Sequence, residues 1–236
     1  MRMVSDHQIN TQMKAILVPL VFLLSLTTHA QQKTIIRTKT ELLASLKNNP
    51  NKTLINLSTY IPGITLDIRY ATTNNFTHQI LYTNPIPYLR KPAADALKKV
   101  QAALNKRGLR LIIYDAYRPL SVTQKIWDHV HDSRYAANPT NGSGHNRGLS
   151  VDVSIISIMG KENTGLNMGT DFDNFTDTAA HTFKKLDQQV LINRKRLKAT
   201  MEKHGFKSLN TEWWHYSWPN NGGYELIDIS FEEINN

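Results

Sequence analysis

Two histidines and two carboxylates carry the chemistry that this sequence can do: His145, Asp152, Glu212 and His215. His145 lies in the glycine-bounded run Ser143-Gly144-His145-Asn146-Arg147-Gly148, and Asp152 follows seven positions later in an alternating stretch. His215 stands in Glu212-Trp213-Trp214-His215-Tyr216. Two imidazoles and one carboxylate form a catalytic zinc set, because they leave a fourth position open for water. Bound zinc lowers the pKa of that water to about 7, which makes hydroxide available at neutral pH. Spacing alone does not decide the matter. Each histidine also reads as an ordinary surface or core residue, and Asp152 reads as the solvent face of an edge strand. The sequence has no His-Glu-x-x-His helix, which excludes the commonest zinc-peptidase signature.

Glu212 precedes His215 by three residues, so on a straight strand the two side chains would point to opposite faces. A turn or bulge at Glu212 brings its carboxylate beside the metal, where it serves as general base toward the water and then as proton donor to the leaving amine. Arg118 ends the segment Tyr114-Asp115-Ala116-Tyr117-Arg118 ahead of Pro119. Its guanidinium fork suits a developing oxyanion or a substrate carboxylate. Pairing with Asp115 or with backbone carbonyls is an equal alternative.

The elements that must position these groups are partly readable. Pro92 to Arg107 carries Ala93, Ala94, Leu97, Val100, Ala103 and Leu104 at helical spacing, with Gly108 as its stop. Leu109 to Tyr114 follows as an apolar strand, and Ser121 N-caps a second helix to about His131. Leu149 to Ile156 alternates into a strand, and a helix beginning near Thr178 or Asp187 runs to His204. Phe206 to Leu209 and Trp213 to Trp218 read as strands joined around Asn210-Thr211. Leu54 to Leu57 and Ile64 to Ile68 flank a Pro62-Gly63 turn. Strands and helices do not alternate strictly, which favours an α+β domain with a central, mainly antiparallel sheet flanked by helices.

Residues 1–30 read as an export signal: Lys14, an apolar run from Ala15 to Leu26, and small residues at Thr28 and Ala30. The run falls short of the ~20 residues that span a bilayer, so no stable membrane span is expected after cleavage. Residues 1–12 add nothing to the signal, so Met13 serves as initiator as well as Met1. Removing 30 of the 236 residues leaves 206, the size of one domain covering 31–236. There is no cysteine, so disulfides and thiolate zinc fingers are excluded. Twenty-eight Lys and Arg against nineteen Asp and Glu give a formal charge of +9, which suits an acidic partner. The basic residues are scattered along the chain, which argues against nucleic acid.

Taken together, Tyr114-Asp115-Ala116-Tyr117-Arg118-Pro119, Ser143 to Asp152 and Glu212-Trp213-Trp214-His215 resemble the zinc D-alanyl-D-alanine dipeptidases. Asp67 to Phe76 and Met168 to Asp173 fit the same family, and the resemblance spans about Leu54 to Trp218. It implies a small α+β zinc peptidase with one zinc ion on His145, Asp152 and His215, Glu212 as base, and Arg118 stabilising the tetrahedral intermediate. It also implies that Ser143 and a buried Asp171 hold the ammonium of a free dipeptide, with Tyr70 lining the pocket. Export places such an enzyme in the periplasm, where it would recover D-alanine from cell-wall peptides. Two other readings stay open: a D,D-carboxypeptidase or endopeptidase with the same metal architecture, and a non-catalytic cell-wall binding module.

Overall fold

The structure is a computed structural model that describes residues 34–47, 49–158, 165–221 and 223–235. The export signal expected over 1–30 lies outside them. In chain order the elements are β1 (Ile35–Ile36), α1 (Lys39–Leu46), β2 (Leu54–Asn56), α2 (Leu57–Tyr60), β3 (Thr65–Leu66), β4 (Tyr88–Arg90) and α3 (Lys91–Asn105). There follow β5 (Leu109–Asp115), α4 (Leu120–Val130), β6 (Ser150–Ser157), α5 (Gln188–Lys203), β7 (Lys207–Ser208), β8 (His215–Ser217), β9 (Leu226–Ile227) and α6 (Phe231–Asn235). Among the described residues no helix is long and apolar enough to cross a membrane.

A five-stranded sheet in the order β3-β5-β6-β8-β7 forms the centre, and only its β3–β5 pairing is parallel. The fold is thus α+β, with the mainly antiparallel sheet that the sequence predicts. Two small two-stranded sheets pair β2 with β4 and β1 with β9. On α3 the helical repeat buries Ala93, Ala94, Leu97, Val100 and Leu104. The helix packs against β5 and α5, and α5 packs against β7. In β6, period-two alternation separates Val151, Val153 and Ile155 from Ser150, Asp152 and Ser154. All six are buried, so Asp152 does not lie on a solvent face.

Two local expectations change. Helix α4 begins two residues early, with Pro119 instead of Ser121 at the N-cap, and the Ser121 N–H donates to Asp228 Oδ1 at 2.8 Å. The extended segments expected on either side of Pro62-Gly63 are present but shorter, β2 ending at Asn56 and β3 covering Thr65–Leu66 alone. Asn56 accepts from Ser58 N–H and nucleates the short α2, which sends β2 and β3 into different sheets.

His181 packs edge-on to Tyr216, and its Nε2 is buried without a hydrogen-bond partner. Burial first, then the cations Lys198, Arg194 and Lys184, push its imidazole down from 6.5 to about 4. The unfolded chain therefore binds more protons between these values, and stability falls as pH drops from about 6.5 toward 4. In thermal melts across that window, His181→Gln should lose less stability than the wild type; equal slopes would remove His181 as the cause.

Candidate active site

Backbone register sets the site. Asp152 lies directly opposite His215 across β6 and β8, so both side chains point to one face. The β5–β6 register slips between Ile113 and Asp115: Ile113 pairs with Val153, whereas Asp115 pairs with Asp152. That bulge adds one residue to β5 and turns Asp115 to the face that carries Asp152, although Tyr114 just before it lies on that side with Ser154. Regular pairing would have put Asp115 opposite Val151.

His145 arrives from a short turn between α4 and β6. Gly144 and Gly148 bound the turn, and Gly148 holds φ at +68°. At Gly144 the reason for glycine is space, since a Cβ there would lie 1.9 Å from Ser150 Oγ. Gly144→Ala must therefore drive the Ser150 hydroxyl from its place beside Ser217 Oγ or shift the turn carrying His145, at about 1–3 kcal/mol. The expected result is a lower melting temperature together with reduced metal content. Gly165→Ala, which would meet open space, serves as the neutral comparison.

His145 Nε2, Asp152 Oδ1 and Oδ2, and His215 Nδ1 converge. His145 Nε2 is 3.2 Å from His215 Nδ1 and 3.4 Å from Asp152 Oδ2, and His215 Nδ1 is 3.0 Å from Asp152 Oδ1. Ligands on tetrahedral bonds of 2.0–2.1 Å stand about 3.3–3.4 Å apart, so these separations match the edges of such a site. A proton fits less well, because His215 Nδ1 carries at most one and faces two acceptors. The outer nitrogens are fixed. His145 Nδ1 lies 2.7 Å from the Ala116 carbonyl and donates to it, and His215 Nε2 lies 3.0 Å from Ser217 Oγ. With protons there, both inner nitrogens keep their lone pairs for a metal. Burial opposes the charge on Asp152, but His145 and His215 more than offset it and hold the carboxyl well below the usual range.

Glu212 sits in a tight loop closed by Leu209 N–H to His215 O and by Glu212 N–H to Leu209 O. This supplies the turn that the three-residue spacing requires. Its Oε2 lies 4.0 Å from His215 Nδ1, too far for a direct hydrogen bond and close enough to share one water. Burial pushes its carboxyl up to about 8. A divalent cation in the cluster acts in the opposite sense, favouring the carboxylate.

Arg118 both lines the cleft and pairs with Asp115. Its Nε and Nη2 donate to Asp115 Oδ2 at 2.9 and 2.7 Å, and its guanidinium lies over the Tyr70 ring at 5.1 Å. Asp115 Oδ1 accepts from the Tyr82 hydroxyl at 2.8 Å, so the anchor is itself held. Arg118 Nη2 stands 4.0 Å from Asp152 Oδ2, beside the ligand cluster.

The cleft has a volume of about 190 Å³, and Tyr70, Ser143 and Asp173 also line it. Ser143 Oγ donates to Asn146 Oδ1 at 3.1 Å, and the Asn146 amide donates to the Arg118 carbonyl, tying the His145 turn to Arg118. Asp171 is not in the cleft. It is exposed on a separate polar hollow with Arg69 and Tyr114, whereas Asp173, two residues on, takes the place expected of it. The reason is the buried ring of Phe172, which packs on Tyr114 and Trp214. Beyond that anchor the backbone turns through φ +57° at Asp173 and brings its carboxylate to the Tyr70 hydroxyl, which donates at 2.8 Å. Enclosure first, then the charge of Asp152, push the Asp173 carboxyl up to about 8. Alternation gave no signal to separate the two aspartates. The segment Ser133 to Ala137 and Phe175 also wall the cleft. No sequence pattern marked them.

A cation held by three side chains, with an unattached carboxylate within one water of it, can hydrolyse an amide without a nucleophilic side chain, and this places the chain among the metallopeptidases. The chain belongs to the peptidase M15 family of D-Ala-D-Ala dipeptidases, which it matches over residues 51–234. It is 31% identical to the D-alanyl-D-alanine dipeptidase of Escherichia coli (strain K12) over 178 residues, 75% of this chain and 91% of that one. The enzyme of the same name from Enterococcus faecalis (strain ATCC 700802 / V583) is 30% identical over 182 residues, 68% of this chain and 88% of that one.

Proposed function

We propose that this chain hydrolyses free D-alanyl-D-alanine to two D-alanines, with one zinc ion on His145, Asp152 and His215. The observation that carries the substrate is Asp173, a carboxylate on the wall of the metal cleft whose one hydrogen-bond partner among the described residues is the Tyr70 hydroxyl. A free dipeptide brings an ammonium to such a group; an acylated stem peptide does not. The cleft supports the same reading. Its volume of about 190 Å³ is below the 300–1,000 Å³ typical of sites for drug-sized ligands and suits a molecule of dipeptide size.

Zinc, when bound, polarises the peptide carbonyl and lowers the pKa of its water to about 7. Glu212 takes the proton of the attacking water and returns it to the leaving amine. Arg118, locked by Asp115, presents its charge where the carbonyl oxygen becomes negative, and needs no reorganisation to do so. Asp173 and Tyr70 hold the ammonium end, and Ser143 contributes a hydroxyl at the cleft wall. Export, as the N-terminal sequence predicts, would put this reaction in the periplasm, in turnover of cell-wall peptides.

The test is D-alanine release from free D-Ala-D-Ala and from its N-acetyl derivative, with and without chelator. The free dipeptide should be cleaved about 10- to 150-fold faster, the size of a charge-assisted contact of 1.5–3 kcal/mol. Chelation should abolish release and zinc should restore it. Equal rates on both substrates would favour the carboxypeptidase reading, and no cleavage of either would leave a binding module.

A further inference from the structure

Basic residues that are scattered in the sequence are gathered by the fold along one groove. Helices α3 and α5 pack against each other, and the crevice between them has two adjoining hollows of about 480 and 410 Å³ that share Ala103, Arg107 and Lys203. Each is larger than the cleft of about 190 Å³ that holds the metal ligands, and neither shares a lining residue with it. One bank carries Lys99, Lys106 and Arg107, and the other Lys195, Arg196 and Lys203. The floor is apolar, formed by Ala103, Ala199 and Ile192.

None of these six cations has an ion-pair partner among the described residues. The acid on the same helix, Glu202, is engaged with Lys198 and Ser208. Six like charges around one crevice, which their aliphatic stems line, repel one another, an arrangement that an anion running between the banks relieves. From Lys195 to Lys203 the bank extends about 12 Å at 1.5 Å per residue, long enough for successive charges of one chain to be met from both sides.

We propose that this groove binds a linear phosphodiester polymer without aromatic bases, of the polyol phosphate type, and so tethers the enzyme to an anionic matrix away from its catalytic cleft. Two features select that occupant. Among the described residues no Phe, Tyr or Trp lines the groove and the His204 imidazole is its single ring, so successive nucleic-acid bases would find no stacking platform. The cations line a concave crevice, and Ile192 is the only large apolar side chain in it, so a flat bilayer would touch the rim and find little to bury.

The test is fluorescence anisotropy of end-labelled poly(glycerol phosphate) with the intact chain at about 50 mM salt, repeated as salt is raised. Binding should be tight at low salt and fall steeply with it. The triple variant Lys99→Glu, Lys195→Glu, Arg196→Glu should weaken it at least tenfold, with dipeptide hydrolysis unchanged. A triple variant of equal charge change at exposed Lys47, Lys125 and Lys185 should retain binding. If the glutamate variant does not fold, the glutamine version should lower the salt slope by about 2, near 0.7 per cation removed. The proposal is overturned if the wild type does not bind, or if both triple variants weaken equally, which would make net charge the cause. Tighter binding of single-stranded DNA of equal charge, or of phosphatidylglycerol vesicles, would overturn the occupant.

Discussion

Glu212→Gln should lower kcat on D-Ala-D-Ala by about 10³-fold, within the 10²–10⁴ that a positioned general base supplies, with one metal ion per chain retained. Glutamine has nearly the same shape, and the loop around it is closed by backbone hydrogen bonds between Leu209 and His215 and between Leu209 and Glu212. Geometry should therefore survive while the ability to accept a proton is lost. KM should change little, because Glu212 meets the water and not the ends of the dipeptide. Metal analysis beside the kinetics separates the alternatives. Loss of the ion would make Glu212 a ligand, and activity above a tenth of wild type would remove it from proton transfer.

The second large effect is expected at Asp173. Asp173→Asn should cut kcat/KM for the free dipeptide by roughly 10²-fold, because an amide replaces the carboxylate that the incoming ammonium stabilises against its enclosure. The N-acetyl derivative, with no charge there, should be affected far less, so the preference for the free amine should narrow. Asp171→Asn is the decisive companion. Asp171 faces a different hollow, and its neutralisation should leave both rates close to wild type. If Asp171→Asn gave the larger loss, the ammonium would be read from the other side of Phe172, and the proposed orientation of the substrate would be wrong.

These predictions rest on residues that were unequally legible in the sequence. His145, Asp152, His215 and Glu212 were legible as candidate donors by residue type, but it was the blocks resembling the dipeptidase family that set them apart, since spacing alone left ordinary readings open. Helix α3 and strand β5 were legible because their apolar periods are long enough to be unambiguous. The slip in β5 was not legible. It depends on how Ile113 and Asp115 register against a strand some forty residues away, which no local pattern encodes. The same holds for Asp173. A left-handed backbone at one residue, held by the packing of Phe172, decided which of two aspartates entered the cleft. The C-terminal segment gave no sequence signal at all. It is tied in by long-range contacts: β9 pairs with β1, and the Tyr117 hydroxyl donates to the Ile229 carbonyl at 2.8 Å.

The slip in β5 lets two consecutive residues look the same way, which strict alternation forbids. Tyr114 supports Phe172, and through it the arm that ends in Asp173, while Asp115 grips Arg118. On the proposed roles of Asp173 and Arg118, substrate preference and rate acceleration would hang from neighbouring but separate pegs. Natural drift or directed evolution can vary position 114 to retune which amine is admitted, leaving position 115 and the power of the enzyme in place.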